Sequence, residues 1–254
     1  MNYGFTYQGS KNRLAERIIA ELPPAEYFVD LFAGGGAVTH CAMLSGKYDK
    51  FITNDYLGTT KMFENAMCGV YRYSYDLVRR EDFFDQYKTD LFIRYCWSFS
   101  CIGRTYVWSK AKENYCYEHY NDVLCGELKN QYIKEPICKI NRVNELYKLN
   151  QFLSRTQFLQ RDFEDVEIPK NSVVYCDPPY NNTKLDGYNI KGRSKMNEYS
   201  FQRFINFLLK NQGKQIYISE YSDIPRTVKI KEFEHRNNLG NRKKTNECLY
   251  KVVL

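Results

Sequence analysis

The chain has 254 residues, with 37 Lys and Arg against 30 Asp and Glu, which gives a formal net charge of +7. Its 43% of hydrophobic residues, with 23 Tyr and 16 Phe, excludes a disordered chain, because such a composition can form a sizeable core. A membrane span is excluded as well, since apolar runs such as residues 204–209 are far shorter than the roughly 20 residues that cross a bilayer. Nine Cys and a start without a signal peptide predict reduced thiols and a cytoplasmic location.

The positive charge is concentrated in the C-terminal part of the chain. Residues 184–244 carry 14 Lys and Arg against six Asp and Glu, while the rest of the chain is close to neutral. Such a segment suits contact with a polyanion. A solvated surface is an equally weighted alternative on charge alone.

The N-terminal part of the sequence predicts a β-α-β unit. Apolar residues at helical spacing predict a helix over residues 10–22, which two prolines end. A short apolar strand follows at residues 27–32, then three glycines, a helix over residues 37–44 and a strand over residues 50–54. This succession implies a parallel sheet with helices on its faces, and therefore an α/β fold.

From about residue 60 the alternation stops. The next stretch is rich in Tyr, Phe, Trp and charge, and predicts a mostly helical insertion with its own small core. Strand and helix signals then resume at residues 157–160, 172–176, 201–209 (the helix), 215–219, 227–233 and 247–253, with a polar hairpin loop at residues 237–246. We therefore assign residues 1–59 and 156–254 to one domain and residues 60–155 to an inserted domain.

A glycine-rich turn follows the first predicted strand, in the segment Asp30-Leu31-Phe32-Ala33-Gly34-Gly35-Gly36. Glycines there let a ligand approach backbone N–H groups at a helix N-terminus. Asp55, at the end of the second strand, is placed to hold ribose hydroxyls. The pair indicates a nucleotide-like ligand, with a tight turn and helix cap as the alternative. The spacing lacks the full G-x-G-x-x-G pattern, which counts against NAD.

The segment Asp177-Pro178-Pro179-Tyr180 is the stronger signal, because it follows an apolar strand at the edge where open α/β sheets bind ligands. The prolines stiffen the loop, so that the Asp177 carboxylate and the Pro178 carbonyl can act as two fixed acceptors beside the ring of Tyr180. That set suits a planar heterocycle with an exocyclic amine. A plain surface turn is the alternative.

With these motifs in this order, the chain resembles the Dam-like, alpha-class (D12-type) DNA adenine-N6 methyltransferases. The residues that carry the resemblance are Tyr7-Gln8-Gly9-Ser10-Lys11, the glycine segment from Asp30 to Gly36, Asn54-Asp55, Asp162-Phe163, Asp177-Pro178-Pro179-Tyr180 and Ile218-Ser219. They span residues 1–56 and 157–253. Position 7 is Tyr where the family usually has Trp or Phe, and residues 98–106 only loosely resemble a family loop near DNA.

The resemblance implies a Rossmann-like S-adenosylmethionine-dependent methyltransferase sheet, with residues 60–155 as an inserted target-recognition domain. It assigns cofactor binding to Tyr7, Lys11, Asp30, Phe32, Ala33, Gly34, Gly36, Asp55, Asp162, Phe163 and Asp177. It assigns catalysis to Asp177, Pro178 and Tyr180, acting on an adenine flipped out of duplex DNA. A separately encoded restriction endonuclease is an expected partner.

Two alternatives stay open at this point. The same fold could act on RNA adenine or on the N4 amine of cytosine, because the tetrapeptide suits other exocyclic amines. The chain could also be a DNA-binding module without turnover, although the intact glycine segment, Asp177 and Tyr180 argue against that.

Candidate DNA contacts combine charge with flat rings. In the insertion they are Arg104, Tyr106, Lys110 and Lys112, near Trp97 and Trp108, and in the tail they are Arg242, Lys243 and Lys244. The alternative is that Trp97 and Phe99 form the core of the insertion and that the lysines are only solvated.

Cysteine chemistry is not expected. Cys176 is predicted to be an inward-facing strand residue rather than a nucleophile, because direct methyl transfer needs no covalent intermediate. Cys116, His119, Cys125 and Cys138 lack the second closely spaced pair of a structural zinc site, so no metal is predicted.

Overall fold

A computed structural model of the protein describes residues 1–99, 103–179, 200–211, 213–236 and 244–253. Its centre is one seven-stranded sheet with the strand order β3-β2-β1-β4-β5-β7-β6. The strands are β1 (Ala25–Asp30), β2 (Tyr48–Asn54), β3 (Thr156–Leu159), β4 (Ser172–Cys176), β5 (Gln215–Glu220), β6 (Thr227–Arg236) and β7 (Lys244–Val252). The first five pair in parallel, whereas β7 is antiparallel to both of its neighbours.

Helices cover the sheet and form most of the segment between β2 and β3. They are α1 (Ala15–Glu21), α2 (Ala37–Leu44), α3 (Thr59–Met67), α4 (Arg80–Gln86), α5 (Leu91–Cys96), α6 (Glu113–Leu124), α7 (Gln131–Asn144) and α8 (Phe201–Lys210), with 3-10 helices at Glu145–Arg155 and Phe163–Asp165. Local signals set several of their starts: the Asn130 side chain accepts from the first N–H groups of α7, and Ser200 accepts from Arg203 N–H at the start of α8. Within the described residues, no helix is long and apolar enough to cross a membrane.

The strand order reverses between β1 and β4. From β1 the chain moves outward to β2 and β3, and from β4 it moves outward on the other side to β5. In open α/β sheets, ligands bind beyond the carboxyl ends of the strands at such a reversal. Here β1 and β4 end level with each other, since Asp30 pairs with Tyr175. The Rossmann-like sheet with a helical insertion is thus confirmed.

The first predicted helix and the predicted tail loop differ from the structure. The first helix begins at Ala15 rather than at residue 10, because residues 7–14 form turns in which Leu14 N–H donates to the Lys11 carbonyl at 2.8 Å. This turn brings Lys11 to the edge of the sheet. In the tail, β7 begins at Lys244, so the last residues of the predicted loop pair with β6 instead. The preceding residues 237–243 lie outside the described part.

The predicted separate core of the insertion is wrong. Buried side chains of the insertion, such as Trp97 and Ile133, belong to one continuous cluster with Phe28 of the sheet. The reason is that both ends of the insertion pack on the sheet: the Phe63 and Phe158 rings are 6.3 Å apart, and Phe152 lies edge-on against Phe51, with ring centroids 5.9 Å apart. The other face of the sheet has its own cluster, built on alternate strand residues and on α8. The domain boundaries at residues 59/60 and 155/156 stay a prediction.

Candidate active site

Acidic side chains gather where the central strands end. Asp30 closes β1, Asp177 follows β4 and Glu220 closes β5. Glu247 reaches the same edge from β7, because Cys248 of that antiparallel strand pairs with Glu220. Since neighbouring parallel strands end at the same edge, residues far apart in the chain form one acidic cluster beyond β1, β4 and β5.

Lys11 places a positive charge among these acids. Its Nζ lies 2.8 Å from Oδ2 of Asp177 and 3.5 Å from Oε1 of Glu247, and it also donates to the Gly9 carbonyl oxygen at 3.3 Å. Lys11 and Glu247 are buried, whereas Asp177 is partly exposed. Lys11 therefore ties the N-terminal turn to the loop after β4 and to β7.

The electrostatics of this cluster follow from burial and pairing. Burial disfavours the charged form of Lys11, but Asp177 and then Glu247 outweigh it, so the pKa of Lys11 is raised. Burial also raises the pKa of Glu247; Lys11 opposes this, and the nearby charge of Asp177 adds to it. Lys11 thus stays protonated, while at Glu247 burial favours the neutral form and Lys11 favours the charged form.

Asp30 lies under the glycine turn and is almost fully buried. Its Oδ2 accepts a 2.8 Å hydrogen bond from the Thr39 hydroxyl of α2, while Oδ1 has no hydrogen-bond partner among the described residues. Burial raises the pKa of Asp30 to about 7, the Thr39 hydrogen bond lowers it, and the charge of Asp177 raises it further. Asp30 is therefore easily protonated near neutral pH.

The N-terminal segment lies across the glycine turn. Phe5 N–H donates to the Gly35 carbonyl at 2.9 Å, and a Cβ atom at Gly34 would lie 2.8 Å from the Tyr7 ring. Gly34 and Gly36 have φ values of +50° and +71°, which favour glycine. The structure thus brings the two predicted cofactor motifs, at residues 7–11 and 30–36, into direct contact.

Asp55 shapes the same turn from the end of β2. Its Oδ2 accepts from Gly34 N–H at 3.1 Å and its Oδ1 from Leu57 N–H at 2.8 Å. Burial raises its pKa and these backbone hydrogen bonds lower it. Asp55 therefore fixes the conformation of the glycine turn. Its predicted contact with a ribose stays a prediction.

An aromatic wall lies beside the turn. The Phe32 and Phe163 rings are 5.4 Å apart, and Phe204 of α8 packs edge-on against both. Asp162 caps the 3-10 helix by accepting from Glu164 N–H at 3.1 Å, and it pairs with Arg203 at 3.1 Å. Phe32, Ala33, Gly34 and Asp162 are partly exposed at this edge of the sheet.

The loop after β4 begins in the core and turns outward. Cys176 is fully buried, and burial raises the pKa of its thiol well above the usual value, so the interpretation as an inward-facing residue rather than a nucleophile is supported. Pro178 is buried beside the partly exposed Asp177. Tyr180, the third predicted catalytic residue, lies outside the described residues.

Comparison with protein families shows which family the chain belongs to. The model of the D12 class N6 adenine-specific DNA methyltransferase family matches residues 7–245, nearly the whole chain. The chain belongs to this family.

Comparison with individual proteins adds little. No curated protein matches the sequence. Among solved structures, wild-type Trm5b from Pyrococcus abyssi is 10% identical with a TM-score of 0.40, covering 96% of this chain and 49% of its own. HI0767 from Haemophilus influenzae, described as a putative methylase, is 12% identical with a TM-score of 0.35, covering 98% and 92%. This chain spans about half of Trm5b, and both likenesses are too distant to carry an argument.

The methyltransferase also has site neighbours that sequence reasoning missed. Gly4 N–H donates to His40 Nδ1 at 3.0 Å, and the Gly4 carbonyl accepts from Arg142 Nε of α7 at 2.8 Å. The Tyr95 ring of α5 lies 5.4 Å from the ring of Tyr7. No local pattern signals these residues, because their partners are far away in the chain. Glu247 was missed for the same reason.

One predicted DNA contact of the methyltransferase needs correction. Tyr106 is buried, and its hydroxyl donates to the Val78 carbonyl at 2.6 Å, so its ring belongs to the core and is not available to a base. Trp97 and Trp108 are buried as well, whereas Phe99 is 54% exposed, contrary to the core role considered for it. The rings of Trp97, Tyr106 and Trp108 therefore lie in the interior, which the alternation of aromatic and charged residues did not reveal.

The basic candidates lie in more open positions. Lys110 and Lys112 are exposed and Arg104 is partly exposed. Lys112 also lies over the Tyr132 ring, 5.3 Å from its centroid. Arg242 and Lys243 lie outside the described residues, and Lys244 is the first residue of β7. DNA contact by these residues stays a prediction.

The structure also bears on the cysteine and histidine residues once considered for zinc. Cys116 is buried, whereas Cys125 and Cys138 are exposed, and His119 pairs with Asp122 at 2.8 Å. Within the part of the chain that the structure describes, no group of three His, Cys, Asp or Glu side chains could hold a metal ion.

Proposed function

We propose that this methyltransferase is site-specific and moves the methyl group of S-adenosylmethionine to the N6 amine of an adenine flipped out of duplex DNA. The observation that carries the proposal is the position of Asp177. Its carboxylate stands at the reversal point of the sheet, directly beyond β4 and within 2.8 Å of Lys11 from the N-terminal cofactor motif. A family motif for the base and one for the cofactor therefore meet at one point.

The residues around the glycine turn fit S-adenosylmethionine by their chemistry. Asp55 is an acceptor suited to ribose hydroxyls, and the wall of Phe32 and Phe163 with Asp162 suits a planar adenine. Gly34 has a positive φ and lies against the Tyr7 ring. Because glycine has no side chain, the backbone of the turn stays accessible to a ligand at this position. When bound, S-adenosylmethionine supplies the methyl group, whose bond to sulfur breaks as its bond to N6 forms.

The loop after β4 would hold the target base. In this proposal the Asp177 carboxylate and the Pro178 carbonyl accept the two N6 hydrogens, and the ring of Tyr180 stacks on the extruded adenine. The N6 lone pair is delocalised into the ring and is a poor nucleophile. Two acceptors favour a more tetrahedral nitrogen and stabilise the positive charge that develops on it.

The proposed reaction needs no strong base from the protein. The methylated nitrogen carries a positive charge and is acidic enough to lose its proton to water, so Asp177 need not act as a strong base. The main contribution of the chain is to hold N6 in line for transfer. Cys176 takes no part, in keeping with its burial.

The remaining assignments extend the proposal to the whole molecule. Residues 60–155 would serve as the target-recognition domain, with Arg104, Lys110 and Lys112 near DNA and the tail residues Arg242, Lys243 and Lys244 on phosphates. We retain a cytoplasmic location and a separately encoded restriction endonuclease as expectations.

Methyl transfer from labelled S-adenosylmethionine to unmethylated duplex DNA tests the proposal, followed by digestion and separation of the nucleosides. We expect the label in N6-methyladenine. Label in N4-methylcytosine would keep the mechanism and change the base. Absence of label in DNA and in RNA would overturn the roles given to Asp177 and Tyr180.

A further inference from the structure

Lys11 forms an ion pair with Asp177, whose carboxylate the proposed reaction needs as an acceptor. Its ammonium lies 2.8 Å from Oδ2 of Asp177, the carboxylate that accepts N6 hydrogens in the proposed reaction. A carboxylate engaged with an ammonium is a weaker acceptor for an incoming amine, because the two donors compete for the same negative charge. A looser hold by Lys11 when the base arrives would therefore strengthen the contact between Asp177 and the amine.

Lys11 is too buried to be released into water. Only 7% of its side chain is exposed, and a buried ammonium without a partner costs several kcal/mol. It needs a second anion within reach of a small rotation of its terminal bonds.

Glu247 meets that requirement. Its Oε1 lies 3.5 Å from Lys11 Nζ, and Glu247 belongs to β7 rather than to the loop that holds Pro178. Its side chain is 4% exposed, and Oε1 makes no hydrogen bond to any residue that the structure describes. A buried carboxylate oxygen that has only this long ion pair can still accept a shorter contact from Lys11, because buried polar atoms are normally satisfied by hydrogen bonds.

We propose that Glu247 is a positioning residue for methyl transfer: it takes over the Lys11 ammonium as the target amine reaches Asp177. The inference rests on the proposed function. Glu247 acts through Lys11 and touches neither substrate. The exchange keeps one charged contact for Lys11 throughout, and it frees Asp177 only while the base is present.

The test compares Glu247→Gln with the wild-type enzyme in single-turnover methyl transfer to duplex DNA. Gln keeps the shape and removes the charge, so Lys11 remains on Asp177. We expect the rate to fall by roughly 10- to 100-fold, the factor that corresponds to one charged hydrogen bond. Cofactor affinity should change less than about threefold, because the cofactor motif keeps its ion pair with Asp177.

A second test variant and a control variant accompany Glu247→Gln. Glu247→Asp keeps the charge but withdraws it from Lys11, so it should slow transfer in the same direction and remains informative if Glu247→Gln does not fold. Glu232→Gln makes the same substitution on the neighbouring strand β6, at an exposed carboxylate that pairs with Lys229. It should leave the rate unchanged.

A binding measurement tests the transfer of the Lys11 ammonium from Asp177 to Glu247 without turnover. Duplexes carrying either adenine or purine at the mapped target are bound in the presence of an unreactive cofactor analogue, and the ratio of the two affinities is compared between enzymes. Purine lacks the N6 amine, so the ratio reports the contact with Asp177, and comparing enzymes cancels the differences between the duplexes. We expect the preference for adenine to fall about tenfold in Glu247→Gln.

The outcomes distinguish a failure of the proposed function from a failure of the inference about Glu247. If the wild-type enzyme transfers no label to adenine, the proposed function is contradicted. The inference about Glu247 then fails as well, unless the preference for adenine over purine in the binding measurement is still lower in Glu247→Gln than in the wild type. Active wild-type enzyme, with Glu247→Gln within twofold of it in rate and in adenine preference, would overturn the inference alone. An equal loss of rate and cofactor affinity would also overturn it, because Glu247 would then merely support the cofactor site.

Discussion

Arg142 donates from Nε to the Gly4 carbonyl oxygen at 2.8 Å and from Nη2 to the Tyr3 carbonyl at 2.6 Å, bridging 138 positions of the chain to Gly4. Arg142 belongs to a helix of the insertion, and Gly4 belongs to the segment that lies over the glycine turn. The ring of Tyr95 against Tyr7 forms a second contact between the same parts. The insertion therefore directly supports the segment over the glycine turn, where cofactor binding is proposed.

Replacing Arg142 with Met should weaken this support. Met keeps an apolar stem but removes both donors, leaving two backbone carbonyls without these partners. We expect the free energy of unfolding to fall by about 2–3 kcal/mol and cofactor affinity to fall several-fold, measured by urea denaturation and by calorimetric titration. Arg155→Met, at an exposed arginine over the Phe152 ring, is the control and should change both by much less. Equal effects of the two variants would contradict a specific link.

Replacing Asp177 with Ala should abolish turnover. The variant removes the acceptor that aligns N6, and we expect the methyl-transfer rate to fall by roughly 100-fold or more. Cofactor affinity should fall much less, because Glu247 still neutralises Lys11. Asp49→Ala, at an exposed aspartate near the start of β2, is the control. Near-normal turnover of the Asp177 variant would show that the assignment is wrong.

Gly34 and Gly46 offer a matched pair of substitutions. Both have positive φ, +50° and +70°, so Ala introduces backbone strain of about 1–2 kcal/mol at either position. A Cβ atom at Gly34 would also lie 2.8 Å from the Tyr7 ring, whereas at Gly46 it meets open space. Gly34→Ala should therefore weaken cofactor binding by roughly tenfold beyond any effect of Gly46→Ala, as a titration can measure. Similar affinities for the two variants would separate Tyr7 from cofactor binding.

Stability should depend on pH through Asp30. Its pKa is raised from 3.8 to about 7 in the folded protein, so its neutral form stabilises the fold fully below pH 3.8, and this contribution is lost as pH rises toward 7. Asn mimics the neutral acid and can still accept from Thr39. Between pH 4 and pH 8, the stability of Asp30→Asn relative to wild type should rise by up to about 4 kcal/mol, as measured by denaturation at each pH. A constant difference would show that Asp30 keeps an ordinary pKa.

DNA affinity should depend on salt through the exposed lysines of the insertion. Replacing Lys110 and Lys112 together with Ala should weaken binding to all sequences and reduce the slope of log K against log salt by about 1.8. The matched control replaces Lys50 and Lys170, which are exposed at the amino ends of β2 and β4, opposite the site. It should leave the slope unchanged. An unaltered slope in the first double variant would place DNA elsewhere.

Much of the proposed catalytic framework follows from local sequence. The apolar run at Ser172–Cys176 predicts β4 and therefore places Asp177 at a strand end, and the glycines after β1 predict the turn beside it. These predictions hold because strand pattern, proline and positive-φ glycine act within a few residues. The turn over residues 7–14 was missed, since apolar spacing alone cannot show where a helix begins.

Only the tertiary structure decided which distant residues meet. The sheet order brings β7 beside β5 and so delivers Glu247 to Lys11, and the packing of α7 brings Arg142 to Gly4. Packing also buried Tyr106, which its sequence neighbourhood of charge had suggested for DNA. These contacts depend on how the elements assemble, because burial and ion pairing join groups by their distance in space and not along the chain.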